Sequence, residues 1–117
     1  MHILLVEDDP VLADGLTRTL QAQGMQVELA RDGLQADLLL QRNPPVVAVL
    51  DIGLPGLDGY ELATRLRSVL GKHPCRLVAL SGYGQDGDRL RSEEAGFAQH
   101  LVKPIGPEQV AQLASAP

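Results

Sequence analysis

The sequence predicts an α/β domain in which a parallel sheet is covered by helices on both faces. Three observations carry that prediction. Short, continuous apolar runs such as Ile3–Val6 and Val46–Leu50 suit strands buried on both faces. Segments of helical character separate these runs and are opened or closed by Asp, Gly and Pro. Polar residues fit for chemistry recur where the runs end. Strands that alternate with helices pair in parallel, and right-handed crossovers restrict the topology.

Each element follows in order. Ile3–Val6 is the first strand, and acids follow it abruptly. Asp9 then caps a helix with Pro10 at its first position. Val11, Leu12, Leu16, Thr19 and Leu20 fall near helical spacing on one face, and Gly24 stops the helix. Met25–Ala30 alternates apolar and polar residues, as an edge strand does. Asp32 caps a second helix through Gln41, with Leu34, Leu38, Leu39 and Leu40 as its apolar surface, and Asn43-Pro44-Pro45 ends it.

Val46–Leu50 is the clearest central strand and ends at Asp51. A Gly- and Pro-rich loop, Gly53–Gly59, leads into a helix over Gly59–Leu70 with Leu62, Leu66 and Val69 inward. Arg76–Leu80 is the fourth strand and ends at Ser81. Asp86–Ala95 is a polar fourth helix, Gln99–Val102 a fifth strand ending at Lys103-Pro104, and Pro107–Ala114 a short last helix.

Composition narrows the function. The 117 residues suggest one domain, 1–117, large enough to bury a core without disulfides or a structural metal. One cysteine, Cys75, permits no internal disulfide and is expected to be a small buried residue in a reducing compartment. A net charge of −5, with scattered Lys and Arg, argues against a nucleic-acid surface. No apolar stretch is long enough to span a bilayer, and the N-terminus lacks the features of a signal peptide, so a cytoplasmic location is expected.

The chemistry gathers at the strand ends. Glu7 and Asp8 follow the first strand, Asp51 the third, Ser81 the fourth and Lys103 the fifth. In an open parallel sheet these carboxyl ends share one edge, where ligands bind. Carboxylates gathered there repel one another unless a cation intervenes. Mg²⁺ suits two carboxylates, a backbone carbonyl, waters and a phosphate oxygen. A carboxylate can be the nucleophile that forms an aspartyl phosphate. Lys103 offers a point charge, and Ser81 a hydroxyl, to phosphoryl oxygens.

Four stretches, in this order and spacing, carry a resemblance: Leu4-Leu5-Val6-Glu7-Asp8-Asp9, Val49 through Gly59, Ala79-Leu80-Ser81-Gly82, and Leu101-Val102-Lys103-Pro104. From end to end the chain resembles a receiver domain of bacterial two-component response regulators, of the chemotaxis-regulator kind. The resemblance implies a flavodoxin-like, doubly wound (βα)5 fold with strand order 2-1-3-4-5. It implies that Asp51 is the phosphorylation site and a Mg²⁺ ligand, with Glu7, Asp8 and the Gly53 carbonyl as the other ligands. Ser81 and Lys103 would contact the phosphoryl group, and a cis bond from Lys103 to Pro104 would aim the lysine. The implied donor is a histidine kinase or a histidine phosphotransfer domain. The implied output is a switch of the face formed by the fourth helix and fifth strand, read by a fused or separate output domain. Such a domain speeds its own phosphorylation and slow dephosphorylation without being a turnover enzyme.

Several positions have plainer readings. Glu7 stands where many relatives carry Asp, and its longer side chain can reach a metal through water. Asp9 is read as a helix cap rather than a metal ligand, and Asp58 likewise as a cap. His100 occupies the position of an aromatic switch residue that is coupled to the hydroxyl residue in many relatives. The preferred reading of His100 is a partly packed strand residue without that role. Tyr83, two residues after Ser81, borders the site or is a plain loop residue. His2 and His73 are read as terminal and loop residues.

Two other functions compete. A binding module of the same fold, working without phosphorylation, would be expected to lack one or more of the site residues, and all are present. A hydrolase with an aspartate nucleophile needs a cap that this length does not supply. The first half resembles receivers of DNA-binding regulators, whereas the second half looks more like receivers fused to hybrid histidine kinases.

Overall fold

The computed structural model describes residues 2–52, 59–81, 94–102, 106, 108–109 and 113. The elements run β1 (His2–Val6), α1 (Pro10–Ala22), β2 (Gln26–Ala30), α2 (Gly33–Arg42), β3 (Val47–Asp51), α3 (Gly59–Leu70), β4 (Arg76–Ser81) and β5 (Phe97–Val102). All pairings are parallel, and the five strands lie in the order β2-β1-β3-β4-β5. This is the flavodoxin-like arrangement expected from the sequence. Most of the expected fourth and last helices lies outside the described residues.

Strand alternation divides the core into two layers. Leu4, Val6, Ala48, Leu50, Leu77 and Ala79 face one side and pack with Ala36, Leu40, Leu62 and Leu66 of α2 and α3. Ile3, Leu5, Val47, Val49, Val78 and Leu80 face the other and pack with Leu16 and Leu20 of α1, and with Leu113. Every residue of β3 is buried, as a central strand requires.

The caps explain where the helices begin. Asp9 accepts the backbone N–H of Val11 at 2.9 Å and of Leu12 at 3.4 Å, and Pro10 follows at the first turn. The capping role expected of Asp9 is therefore the one it fills. Asp32 accepts the N–H of Gln35 at 2.8 Å. After α1, Gly24 takes a φ of 84°, a left-handed turn that glycine adopts without strain.

The structure corrects three details of facing and moves several strand limits by one or two residues. Val11 and Leu12 are exposed, and the inward stripe of α1 is Ala13, Leu16 and Leu20. Leu34 and Leu38 point outward from α2, where Ala36, Asp37 and Leu40 are buried. Val69 is exposed, and the buried spine of α3 is Leu62, Leu66 and Leu70. The side chain of Val46 is exposed, although its N–H and C=O bond to His2 and Arg76 and lead into β3. Strand β5 begins at Phe97, whose ring meets Tyr60 of α3 edge to face at 6.2 Å.

Candidate functional site

The register of the sheet assembles the site. Val6 of β1 pairs with Leu50 of β3, so Glu7 and Asp51 are the next residues on adjacent strands. Asp51 in turn pairs with Leu80 of β4, and Ser81 pairs with Val102 of β5. The N–H of Ile52 donates to the Leu80 carbonyl at 2.9 Å and carries the ladder one step past Asp51. Asp51 is thereby fixed at the carboxyl edge of the central strand, where ligands bind in open α/β sheets.

Burial separates the site residues. Glu7 is 0 %, Asp51 1 % and Ser81 1 % exposed, whereas Asp8 is exposed. Three polar side chains buried side by side at a sheet edge are costly unless they serve a purpose or satisfy one another. Glu7 Oε2 accepts the backbone N–H of Asp9 at 3.3 Å, which ties the acidic turn to the start of α1. Ser81 Oγ shares a hydrogen bond of 2.9 Å with Nε2 of His100 on β5.

The site residues fit a hard divalent cation in kind, since their donors are carboxylate oxygens. Glu7 and Asp51 supply two of them from buried positions and Asp8 one from an exposed position. Among the described residues, no three His, Cys, Asp or Glu side chains are grouped so as to hold a metal ion. Gly53, Lys103 and Pro104 lie outside the described residues, as do Asp58, Gly82 and Tyr83. The expectations placed on them are therefore carried by the sequence.

The Ser81–His100 hydrogen bond joins the hydroxyl residue to the strand position that the resemblance couples with it, where the preferred reading gave His100 no such role. One feature of the site was not foreseen in the sequence: Gly59, which follows the loop after Asp51. A Cβ on Gly59 would lie 2.6 Å from Ile52 Cγ2, so only glycine lets α3 start against the residue next to Asp51. The Asp-Gly pair before a helix was the available signal, and it was read as a cap and a loop end.

Comparison with known proteins agrees with this geometry. The chain belongs to the response regulator receiver domain family, which it matches over residues 3–115. It is 34 % identical over 113 residues to an uncharacterized 14.6 kDa protein of Leptolyngbya boryana, covering 97 % of this chain and 86 % of that one. It is 36 % identical over 110 residues to the response regulator MprA of Mycobacterium sp. (strain KMS), covering 94 % of this chain but 47 % of the relative. The chain thus spans about half the length of MprA. Among solved structures, a putative response regulator from Chloroflexus aurantiacus superposes with a TM-score of 0.81 at 30 % identity, covering 97 % of this chain and 93 % of that one.

Among the described residues, no helix is long and apolar enough to cross a membrane. Receiver domains are in general signalling modules rather than enzymes, and they generally bind Mg²⁺ at their acidic edge.

Proposed function

We propose that this domain is the phosphoacceptor of a two-component phosphorelay and that Asp51 takes the phosphoryl group. The observation that carries the reading is a carboxylate only 1 % exposed at the carboxyl end of the central strand, between the strand that leads into Glu7 and the strand that ends at Ser81. In the transfer, an Asp51 carboxylate oxygen forms a bond to phosphorus. The P–N bond of the donor phosphohistidine breaks, and its electron pair returns to the imidazole nitrogen. The donor is a histidine kinase or a histidine phosphotransfer domain.

Glu7, Asp8, Asp51 and the Gly53 carbonyl would hold Mg²⁺, which when bound neutralises charge on the phosphoryl oxygens during transfer. Ser81 donates its hydroxyl proton to a phosphoryl oxygen, and Lys103 contributes its positive charge. The new charge at Asp51 biases the face of the fourth helix and β5 toward or away from a partner. The half-length match to MprA supports an output segment elsewhere in a longer protein or in a separate one. The site of action is the cytoplasm, where histidine kinases present their phosphohistidine.

The test is intact mass after incubation with Mg²⁺ and acetyl phosphate, beside Asp51→Asn. A phosphate-sized gain that is lost in Asp51→Asn and in EDTA is the expected result. No gain with any donor points instead to a binding module that works without phosphorylation. A gain that survives Asp51→Asn assigns the nucleophile elsewhere.

A further inference from the structure

We propose that the outer face of α2, continued onto α3, is a docking surface for an amphipathic helix of a partner protein, one whose apolar stripe is flanked by carboxylates. Leu34, Leu38 and Arg42 of α2 form the surface with Arg65 and Val69 of α3. The proposal does not depend on the reading of Asp51, because none of these residues belongs to the acidic edge.

Helical spacing supplies the geometry. Leu34, Leu38 and Arg42 lie four residues apart, so they form one line along α2. The opposite side of the helix, with Ala36, Asp37 and Leu40, is the buried one. Leu34 is 66 % exposed and Leu38 56 %. A single exposed leucine means little, but two in line on a helix of ten residues make an uncovered apolar stripe. The Asp37–Arg65 ion pair shows which line of α3 faces α2. Val69 follows Arg65 by one turn on that line and is 40 % exposed, so the apolar area continues onto α3.

Charge selects the occupant. The chain has 15 acidic residues against 10 Lys and Arg, yet the carboxylates on and beside α2 are engaged within the fold. Asp32 caps α2 by accepting the Gln35 N–H at 2.8 Å, Asp37 pairs with Arg65, and Glu28 of β2 pairs with His2 at 2.9 Å. What faces outward beside the leucines is cationic. Arg42 is exposed in the last turn, and Arg65 keeps most of its side chain in solvent while it meets Asp37. Glu61, one turn before Arg65 on α3, marks the acidic limit of the face. An apolar stripe edged by arginines complements a helix whose own stripe is edged by Glu or Asp. A second copy of this chain fits less well, since a two-fold contact would set the same arginines against each other. Ten helical residues span about 15 Å, and a face of that length falls short of the roughly 800 Å² per partner of a standard stable interface. The surface therefore suits a brief signalling contact rather than a permanent one.

The experiment titrates the whole ¹⁵N-labelled chain with a capped helical peptide of about 15 residues that carries leucines four apart, flanked by glutamates. Amide shifts centred on Leu34, Leu38 and Arg42 are expected, with a Kd below about 1 mM. Leu38→Gln should weaken binding about tenfold, the worth of one buried leucine. Arg42→Gln should weaken it roughly two- to fivefold, and added salt should weaken binding to the parent. Both positions are exposed, so both variants should keep the parent's unfolding midpoint. No binding, or shifts centred away from α2, overturns the docking surface. Equal binding of a peptide with lysines in place of the glutamates overturns the acidic partner. Shifts of the same amides as the chain's own concentration rises, without peptide, overturn the partner in favour of a second copy.

Discussion

Gly59 lies so close to Ile52 that a Cβ built on the glycine would stand 2.6 Å from Ile52 Cγ2 and 2.8 Å from its Cα. Ile52 is also bonded through its N–H to Leu80, so it cannot yield without disturbing the edge that presents Asp51. Gly59→Ala should therefore destabilise the fold by about 1–3 kcal/mol, as overpacking does. It should also slow phosphorylation at Asp51. Urea unfolding and the rate of mass gain with acetyl phosphate check both effects. A stable variant with normal phosphorylation would mean that α3 can start elsewhere.

A second relationship ties α2 to α3. Asp37 Oδ2 lies 2.5 Å from an Arg65 nitrogen, and the aspartate side chain is 8 % exposed against 64 % for the arginine. The pair is asymmetric, because losing the arginine strands a buried charge and losing the aspartate does not. Arg65→Ala should cost about 1–3 kcal/mol, the penalty for a buried group left unsatisfied. Asp37→Ala together with Arg65→Ala should cost less than the sum of the single changes. Denaturant midpoints for the two single variants and the double variant decide it.

The strands were legible because buried parallel strands are continuous apolar runs, and Val47–Asp51 and His2–Val6 lie within a residue of where the sequence put them. Helix facing was less legible. Val11 and Leu12 belong to the capped first turn of α1 and are exposed, while small Ala13 takes the inward place that a larger residue seemed to claim. On α3 the true spine repeats every fourth residue through Leu62, Leu66 and Leu70, and Val69 lies beside it. The buried carboxylate at Asp51 was legible from its place after an apolar run. The pairing of Ser81 with His100 was legible only through the resemblance, which couples the two positions, since the contact itself depends on the β4–β5 register and joins residues 19 apart in sequence.

The acidic turn yields a metal prediction. Asp8 is exposed, whereas Glu7 is buried and engaged by the Asp9 N–H. If both serve the Mg²⁺ site, Asp8→Asn should raise the Mg²⁺ concentration for half-maximal phosphorylation by about tenfold or more with little loss of stability. Glu7→Gln should do the same but also loosen the start of α1, because a neutral amide is a weaker acceptor than a carboxylate. Phosphorylation rates across a Mg²⁺ series, set beside unfolding midpoints, separate the two effects. Equal Mg²⁺ dependence in Asp8→Asn and the parent would remove Asp8 from the site.

Cys75 gives a pH prediction far from the site. Its thiol is buried, and that burial raises its pKa from 9.0 to about 11, against the opposing pull of Arg67, a backbone hydrogen bond from Ala48, and Arg76. Arg67 is close by, donating to the carbonyls of His73 at 3.3 Å and Cys75 at 2.5 Å. The folded-state value lies above the unfolded one. The unfolded chain therefore loses the proton first as pH rises. The contribution to stability is whole below pH 9.0 and is lost between there and about 11. Cys75→Ala removes this titration, so the difference in stability between parent and variant should narrow or reverse across that window. At pH 8 the native thiol should resist iodoacetamide and react only after unfolding, since the thiolate is the reactive form. Mass measured after alkylation with and without urea, together with urea midpoints from pH 8 to 11, tests both halves. Fast native alkylation would show that Cys75 is neither buried nor held protonated.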